Sequence, residues 1–426
     1  NVNMNGGSAL LSFSTNANGT TILQGDSTIN TLGYVQWDQA ISGNYRLTKT
    51  GTGANNLSNN YLRLTTSNNI AGVTVNSGIL GYKNRNALGT GTLILGDGVA
   101  IGQDGVINNP NLTGNDQTDR SLGNNIQLNG NVTFGLGGTA NHLGGTLDLN
   151  GATRTITLGN TTYQYGAVTN GGLVVDNGTA ASSRLFGLYA SNSYSGGTEV
   201  RTNAILAVGN DNALGTGALT FTNSTGSGNA TLRASTISTN ASQMRTITNA
   251  IVLANGMNVT VEAVSSAQDS TGASAAVSIN TTLAGNISGS GSLTKTNSNT
   301  LTLSGSNSFT DLTVQSGVVE LGNNNAMGTG TATLSSGTRL RSTVSLTNNQ
   351  AITVSSGTGY VEATAGTTNT LNGTLTKNGS VLVLGGGGTH VVNGSIVGAN
   401  ANSDLYVSNS TTTINSTNSY NGPTFV

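Results

Sequence analysis

Residues Gly289 to Gly330 read GSGSLTKTNSNTLTLSGSNSFTDLTVQSGVVELGNNNAMGTG. Within this stretch Leu293-Thr-Lys-Thr296, Leu301-Thr-Leu303 and Leu312-Thr-Val314 alternate apolar and polar residues, the period of a half-buried strand. Ser, Gly and Asn fill the gaps and supply turns. The same alternation recurs at Val259-Thr-Val261 and Ile352-Thr-Val354. No stretch keeps apolar residues at helical spacing for three turns, and Gly, Asn, Thr and Ser all disfavour helix interiors. The strands are read with Leu, Val or Ile on the core face and Thr or Lys on the other. Leu301, Leu303, Val314, Leu321, Ile205 and Leu206 are the expected core residues.

Moving outward, the turn that closes this stretch repeats. NALGTG stands at Asn86–Gly91 and Asn212–Gly217, and NAMGTG at Asn325–Gly330, spaced by 126 and 113 residues. Upstream, Ser77-Gly-Ile-Leu80, Asn203-Ala-Ile-Leu206 and Ser316-Gly-Val-Val319 hold one offset. A link element reads Leu47-Thr-Lys-Thr50, Leu293-Thr-Lys-Thr296 and Leu375-Thr-Lys-Asn378. Variable spacing argues against a propeller, whose blades must close a ring, and suits a solenoid, whose coils tolerate insertions. The expected fold is all-β: a right-handed parallel β-helix, one continuous solenoid over residues 1–426. Its three long modules cover roughly 42–170, 171–288 and 289–417, and 418–426 starts a further repeat. At ~20 residues per coil this gives ~20 coils, stacked at the ~4.8 Å strand spacing.

Composition agrees. Gly, Thr, Asn and Ser make up 232 of 426 residues, and there are only 6 Phe, 11 Tyr and 1 Trp. A thick sandwich core is therefore excluded, while a narrow core lined by Val, Leu and Ile can be filled. The eleven Asn-Gly pairs suit positive-φ turns. Asn side chains can also ladder from coil to coil; Asn323 to Asn325, Asn55-Asn56, Asn59-Asn60 and Asn124-Asn125 are the candidates. The 35% apolar content and net charge of −1 exclude charge-driven disorder. Gly without a triplet period and only two Pro exclude collagen. The 15 Lys and Arg never form a run, so nucleic acid is not an expected partner. No apolar run is long enough for a transmembrane helix. With no Cys, disulfides and thiolate metal sites are excluded.

The Leu-Thr-Lys strand, the Leu-x-Leu strand with Ser-Gly, Tyr194-Ser-Gly-Gly-Thr198 and Ala213-Leu-Gly215 together resemble the autotransporter-associated β-strand repeat, also called the passenger-associated transport repeat. The match is strongest over 289–330, with weaker copies along most of the chain. The resemblance implies a β-helical, secreted or surface-exposed bacterial protein: a passenger, an adhesin or a wall-associated rod. Such passengers usually precede a membrane β-barrel. No barrel-like region with aromatic girdles lies in these residues, so a freed passenger or another export route is expected. An opening Asn1 in place of Met fits a processed chain.

Residues with chemical potential are sparse. His142 and His390 lie in different modules and are expected to be exposed or in turns. No Gly-x-Ser-x-Gly elbow follows a strong strand, and the Gly-x-Gly strings lack a following helix or Lys. Gly96-Asp97-Gly98 and Gly102-Gln-Asp104-Gly105 make Asp97 and Asp104 the calcium candidates. A calcium β-roll repeats its motif many times, so solvated turn aspartates are the preferred reading. Glu199 and Arg201 should share one strand face. No catalytic residue and no cofactor are expected.

Three functions compete: a structural rod or filament subunit, an adhesin that reads glycans or neighbouring cells, and a carbohydrate-active enzyme. Dispersed charges disfavour the last. Asn418–Val426 reads NSYNGPTFV and matches NSYSGGTEV at Asn192–Val200 in six of nine positions. Two readings follow: head-to-tail self-association, with Asn1, Val2, Met4, Leu10, Tyr420, Phe425 and Val426 at the junction, or a protease boundary inside a longer repeat protein.

Overall fold

The computed structural model describes residues 2–5, 8–11, 21–51, 60–103, 122–136, 140–223, 226–236, 242–263, 267–268, 274–275 and 278–426. Among these there are strands and turns and no helix. Among the described residues parallel strands stack turn upon turn as a β-solenoid of about 17 turns. The chain divides into two compact units, Asn1–Gly217 with Gln268–Ser274, and Ala218–Ala267 with Ala275–Val426.

In the second unit the core is built as columns. Leu301 pairs in register with Val319, then Leu340, Val361 and Leu384, and each is at most 1% exposed. Such burial is worth about 1.5–3 kcal/mol per side chain. Leu283, Leu303 and Leu321 form the neighbouring column. The first unit uses the same device in the column Ile29, Lys49, Val75, Leu95 and Leu128, all fully buried.

Turns are held by amides. In the three Ala-Leu/Met-Gly turns, Asn84, Asn210 and Asn323 accept the N–H two residues on. Gly89, Gly215 and Gly328 then take positive φ. A second, buried Asn reaches each turn from the preceding one. Asn68, Asn192 and Asn307 donate Nδ2 to the carbonyls of Ala87, Ala213 and Ala326. Each also accepts, through Oδ1, the N–H of Ile41, Val168 or Ile287 on its other side. One side chain thus satisfies backbone groups that burial would otherwise orphan. On the surface of the second unit, Asn349, Asn372, Asn393 and Asn415 hydrogen-bond in series at 2.8–2.9 Å, one per turn.

Four expectations need correction. The lysines of the Leu-Thr-Lys elements do not face solvent: Lys49, Lys295 and Lys377 are all fully buried. A period of two places residue i+2 on the side of residue i, so Lys follows Leu inward. Ile205 is only half-buried, while Ala204, Leu206 and Val208 point in, for the same reason. His142 and His390 are strand residues, 5% and 0% exposed, not surface or turn residues. The Asn ladder runs through Asn349 to Asn415 rather than Asn323 to Asn325 or Asn124-Asn125. Asn325 donates to Ser306 Oγ and Asn124 to the carbonyls of Gly89 and Gly91. Asn60 takes positive φ at a turn, and Asn55, Asn56 and Asn59 lie outside the described residues.

Candidate functional site

The three buried amines are the most unusual chemistry in the protein. Lys295 sits in register between Val261 and Val314, in the middle of an aliphatic column. Its stem replaces an apolar side chain, and its Nζ donates to the carbonyls of Thr296, Asn297 and Ser316. Lys377 Nζ donates to Ser403 O and lies 3.4 Å over the Tyr420 ring. Lys49 Nζ donates to Asn60 Oδ1 at 2.6 Å, Ser77 O at 2.8 Å and Thr50 O at 3.3 Å. All these acceptors are neutral. Burial disfavours the charged form, and it lowers Lys49 to about 7 and Lys295 and Lys377 to about 8.

A second cluster lies in the first unit. His142 and Tyr163 are paired in register, and their rings stack at 5.0 Å. Tyr165 stacks on His142 at 5.9 Å and on Tyr189 at 5.4 Å, with its hydroxyl 3.0 Å from His142 Nδ1. Tyr163 and Tyr165 are half-buried. Parallel strands place like positions one turn apart, so these rings form a ladder that no sequence neighbourhood brings together. The Tyr163-x-Tyr165 pair on one strand face was its only signal. Beyond the same unit's turn at Asn150-Gly151, a shallow polar groove is lined by Asp148, Asn150, Thr153, Asn170 and Ser195. There Asp148 Oδ1 accepts from the Asn150 N–H and from Asn170 Nδ2.

Charges scattered in the chain are likewise collected by register. Thr302, Glu320, Arg341 and Glu362 follow one another on successive turns. Arg341 Nε lies 2.8 Å from Glu362, and Arg339 pairs with the same carboxylate while stacking over Tyr360. Arg201 bridges Glu199 at 2.9 Å, on its own strand face, and Asp176 at 2.8 Å. These pairs are partly exposed and individually weak, but all except Glu199–Arg201, which lies within one strand, tie one turn to the next.

The expected site residues separate. Asp97 is a turn residue whose Oδ1 accepts the Asn131 N–H at 2.8 Å; Asp104 lies outside the described residues. Among the described residues no group of three or more His, Cys, Asp or Glu is placed to hold a metal ion. Asn1 also lies outside them. Val2 and Met4 stand on the strand Val2–Asn5, paired with Thr21 and Leu23, and Leu10 pairs with Asn30. Tyr420 pairs with Gly398 and bonds Thr424 Oγ1 at 2.6 Å, as Tyr194 bonds Thr198. Phe425 stacks on Tyr406 at 4.5 Å and remains 43% exposed; Val426 is fully exposed. No helix among the described residues is long and apolar enough to cross a membrane.

No family model, no curated protein and no solved structure matches the chain.

Proposed function

We propose that the protein is a structural β-solenoid of the cell surface or extracellular space, of the autotransporter-associated repeat kind, and that copies join end to end into a filament or sheath. The observation that carries this reading is the bracing between turns. Buried Asn bridges, the Asn349–Asn415 ladder and the Glu320–Arg341–Glu362 series all run along the stacking direction. Side chains spent in this way resist separation of turns, which is what a rod needs and a catalyst does not. The stacked, exposed Tyr406 and Phe425 add apolar surface for self-association.

Electron microscopy of the purified protein tests it. Filaments that give a fibre reflection near ~4.8 Å along their axis are expected. Particles that stay single at every concentration would overturn end-to-end joining. A second reading, an adhesin that binds glycans, draws on the His142, Tyr163, Tyr165 and Tyr189 rings. Glycan binding abolished by Tyr165→Ala would favour it.

A further inference from the structure

We propose that Lys49 and Asn60 are joined by an intramolecular amide bond between Nζ and Cγ, formed by the folded chain itself with loss of ammonia.

The geometry begins with confinement. Asn60 is 1% exposed and Lys49 fully buried, and Nζ stands 2.6 Å from Oδ1. Since a C=O bond is about 1.23 Å long, Nζ lies no more than about 3.8 Å from Cγ. The Asn60 amide is also clamped. A Cβ on Gly51 would fall 1.9 Å from Oδ1, and one on Gly78 would fall 2.2 Å from it. Only glycine allows the neighbouring backbones to close on the amide so tightly. Holding nucleophile and carbonyl in near-attack positions removes much of the entropic part of the barrier.

The chemistry then needs a neutral amine and a polarised carbonyl. Burial without a carboxylate partner lowers the Lys49 pKa to about 7, and loss of one of the three Nζ protons leaves two N–H donors and a free lone pair. Thr31 Oγ1 donates to Oδ1 at 3.2 Å and stabilises the oxyanion as it forms. The Nζ lone pair adds to Cγ. One Nζ proton passes to Nδ2, the Cγ–Nδ2 bond breaks, and ammonia leaves. No atom changes oxidation state and no co-reactant is consumed. The product replaces an ionisable amine inside an aliphatic column by a neutral amide. Its remaining N–H still faces the Ser77 carbonyl, 2.8 Å from Nζ.

The other two lysines provide an internal control. Lys295 hydrogen-bonds only to the backbone carbonyls of Thr296, Asn297 and Ser316. Lys377 meets Ser403 O and the Tyr420 ring. Neither amine hydrogen-bonds a side-chain amide, so one cross-link and not three is expected.

Intact-mass spectrometry of the denatured full chain is the test. The expected mass is one ammonia, about 17 Da, below that of the sequence, with a branched proteolytic peptide joining Lys49 to Asn60. Lys49→Met and Asn60→Ala should each restore the mass expected for the linear chain; Lys295→Met and Lys377→Met should leave the loss in place. The unmutated protein alone decides the matter if the variants fail to fold. A full-length mass with linear peptides carrying unmodified Lys49 and Asn60 overturns the proposal. So does an ammonia loss mapped to any other residue pair.

Discussion

Lys49 and Lys295 occupy the same place in two copies of Leu-Thr-Lys-Thr, one in each compact unit, and both point into an aliphatic column. Their amines nevertheless meet different oxygens. Around Lys49 a side-chain amide lies at 2.6 Å, contributed by a positive-φ Asn at the next turn. Around Lys295 the acceptors are three carbonyls of the local turns. The strand repeat therefore fixes where the amine sits, and the non-repeating turn decides what it can do. In the second unit the lysine is a structural plug that satisfies carbonyls; in the first it faces an electrophile.

The comparison can be broken most forcefully by moving the amine away from its carbonyls. Leu303 is fully buried and flanked in register by Leu283 and Leu321. Leu303→Lys should destabilise the second unit by about 3–5 kcal/mol, the range for an uncompensated buried charge. Leu303→Asp should do the same. Chemical denaturation checks both; a loss below about 1 kcal/mol would mean that any inward lysine is tolerated and that the carbonyl set at Lys295 is incidental.

Titration gives a smaller effect. Lys295 and Lys377 hold pKa values of about 8, lowered chiefly by burial, with Asp404 partly opposing the shift at Lys377. Unfolded lysine titrates near about 10.4. Between these values the unfolded chain binds more protons than the folded one, so stability rises with pH across roughly 8 to 10 and is flat just below. His390, lowered by burial, contributes a rise that ends near about 6.5. Tyr82 and Tyr194, raised by burial, reverse the slope only above about 10. Denaturation midpoints measured from pH 7.5 to 9.5 should therefore climb, less steeply in Lys295→Met and in Lys377→Met. Lys49→Met should leave the slope unchanged, because a cross-linked Lys49 has no amine to titrate. A shallower slope in that variant would sink the distinction between the two regions.

Much of the architecture was legible in the alternation itself. Leu301, Leu303, Val314, Leu321 and Leu206 are core residues because strands of period two leave them no other face. At Ile205 and at the three lysines residue type points to one face and the period of two to the other, and the period decides. Chemistry argues Lys outward, but register puts it inward wherever turn carbonyls wait at the end of its stem. What sequence could not show is assembled across turns. The His142–Tyr163–Tyr165–Tyr189 rings and the Thr302–Glu320–Arg341–Glu362 series join residues about a turn apart, and a single insertion would shift every partner. The proximity of Lys49 to Asn60 is of this kind, since it depends on which residue the turn rotates inward.

The smallest effect concerns the Asn bridges, where two copies of one nonapeptide differ. Asn192 is 7% exposed and bonds in both directions, to the Val168 N–H at 2.7 Å and to the Ala213 carbonyl. Asn418 is exposed; its Oδ1 accepts the Ile396 N–H at 2.7 Å, but its Nδ2 turns back to Ser416 O at 2.9 Å. Truncating Asn192 leaves a buried donor and a buried acceptor unsatisfied, so Asn192→Ala should cost about 1–3 kcal/mol. Asn418→Ala removes a hydrogen bond near water, where solvent replaces the lost partner, and should cost about 0.5–1 kcal/mol. Hydrogen exchange reads the two sites separately, which suits a solenoid whose turns open locally. The Val168 amide should lose more protection in Asn192→Ala than the Ile396 amide loses in Asn418→Ala. Equal losses would mean that the backward bond alone carries the stabilisation, and that the second bond, to the Ala-Leu-Gly turn, adds nothing to the grip between turns.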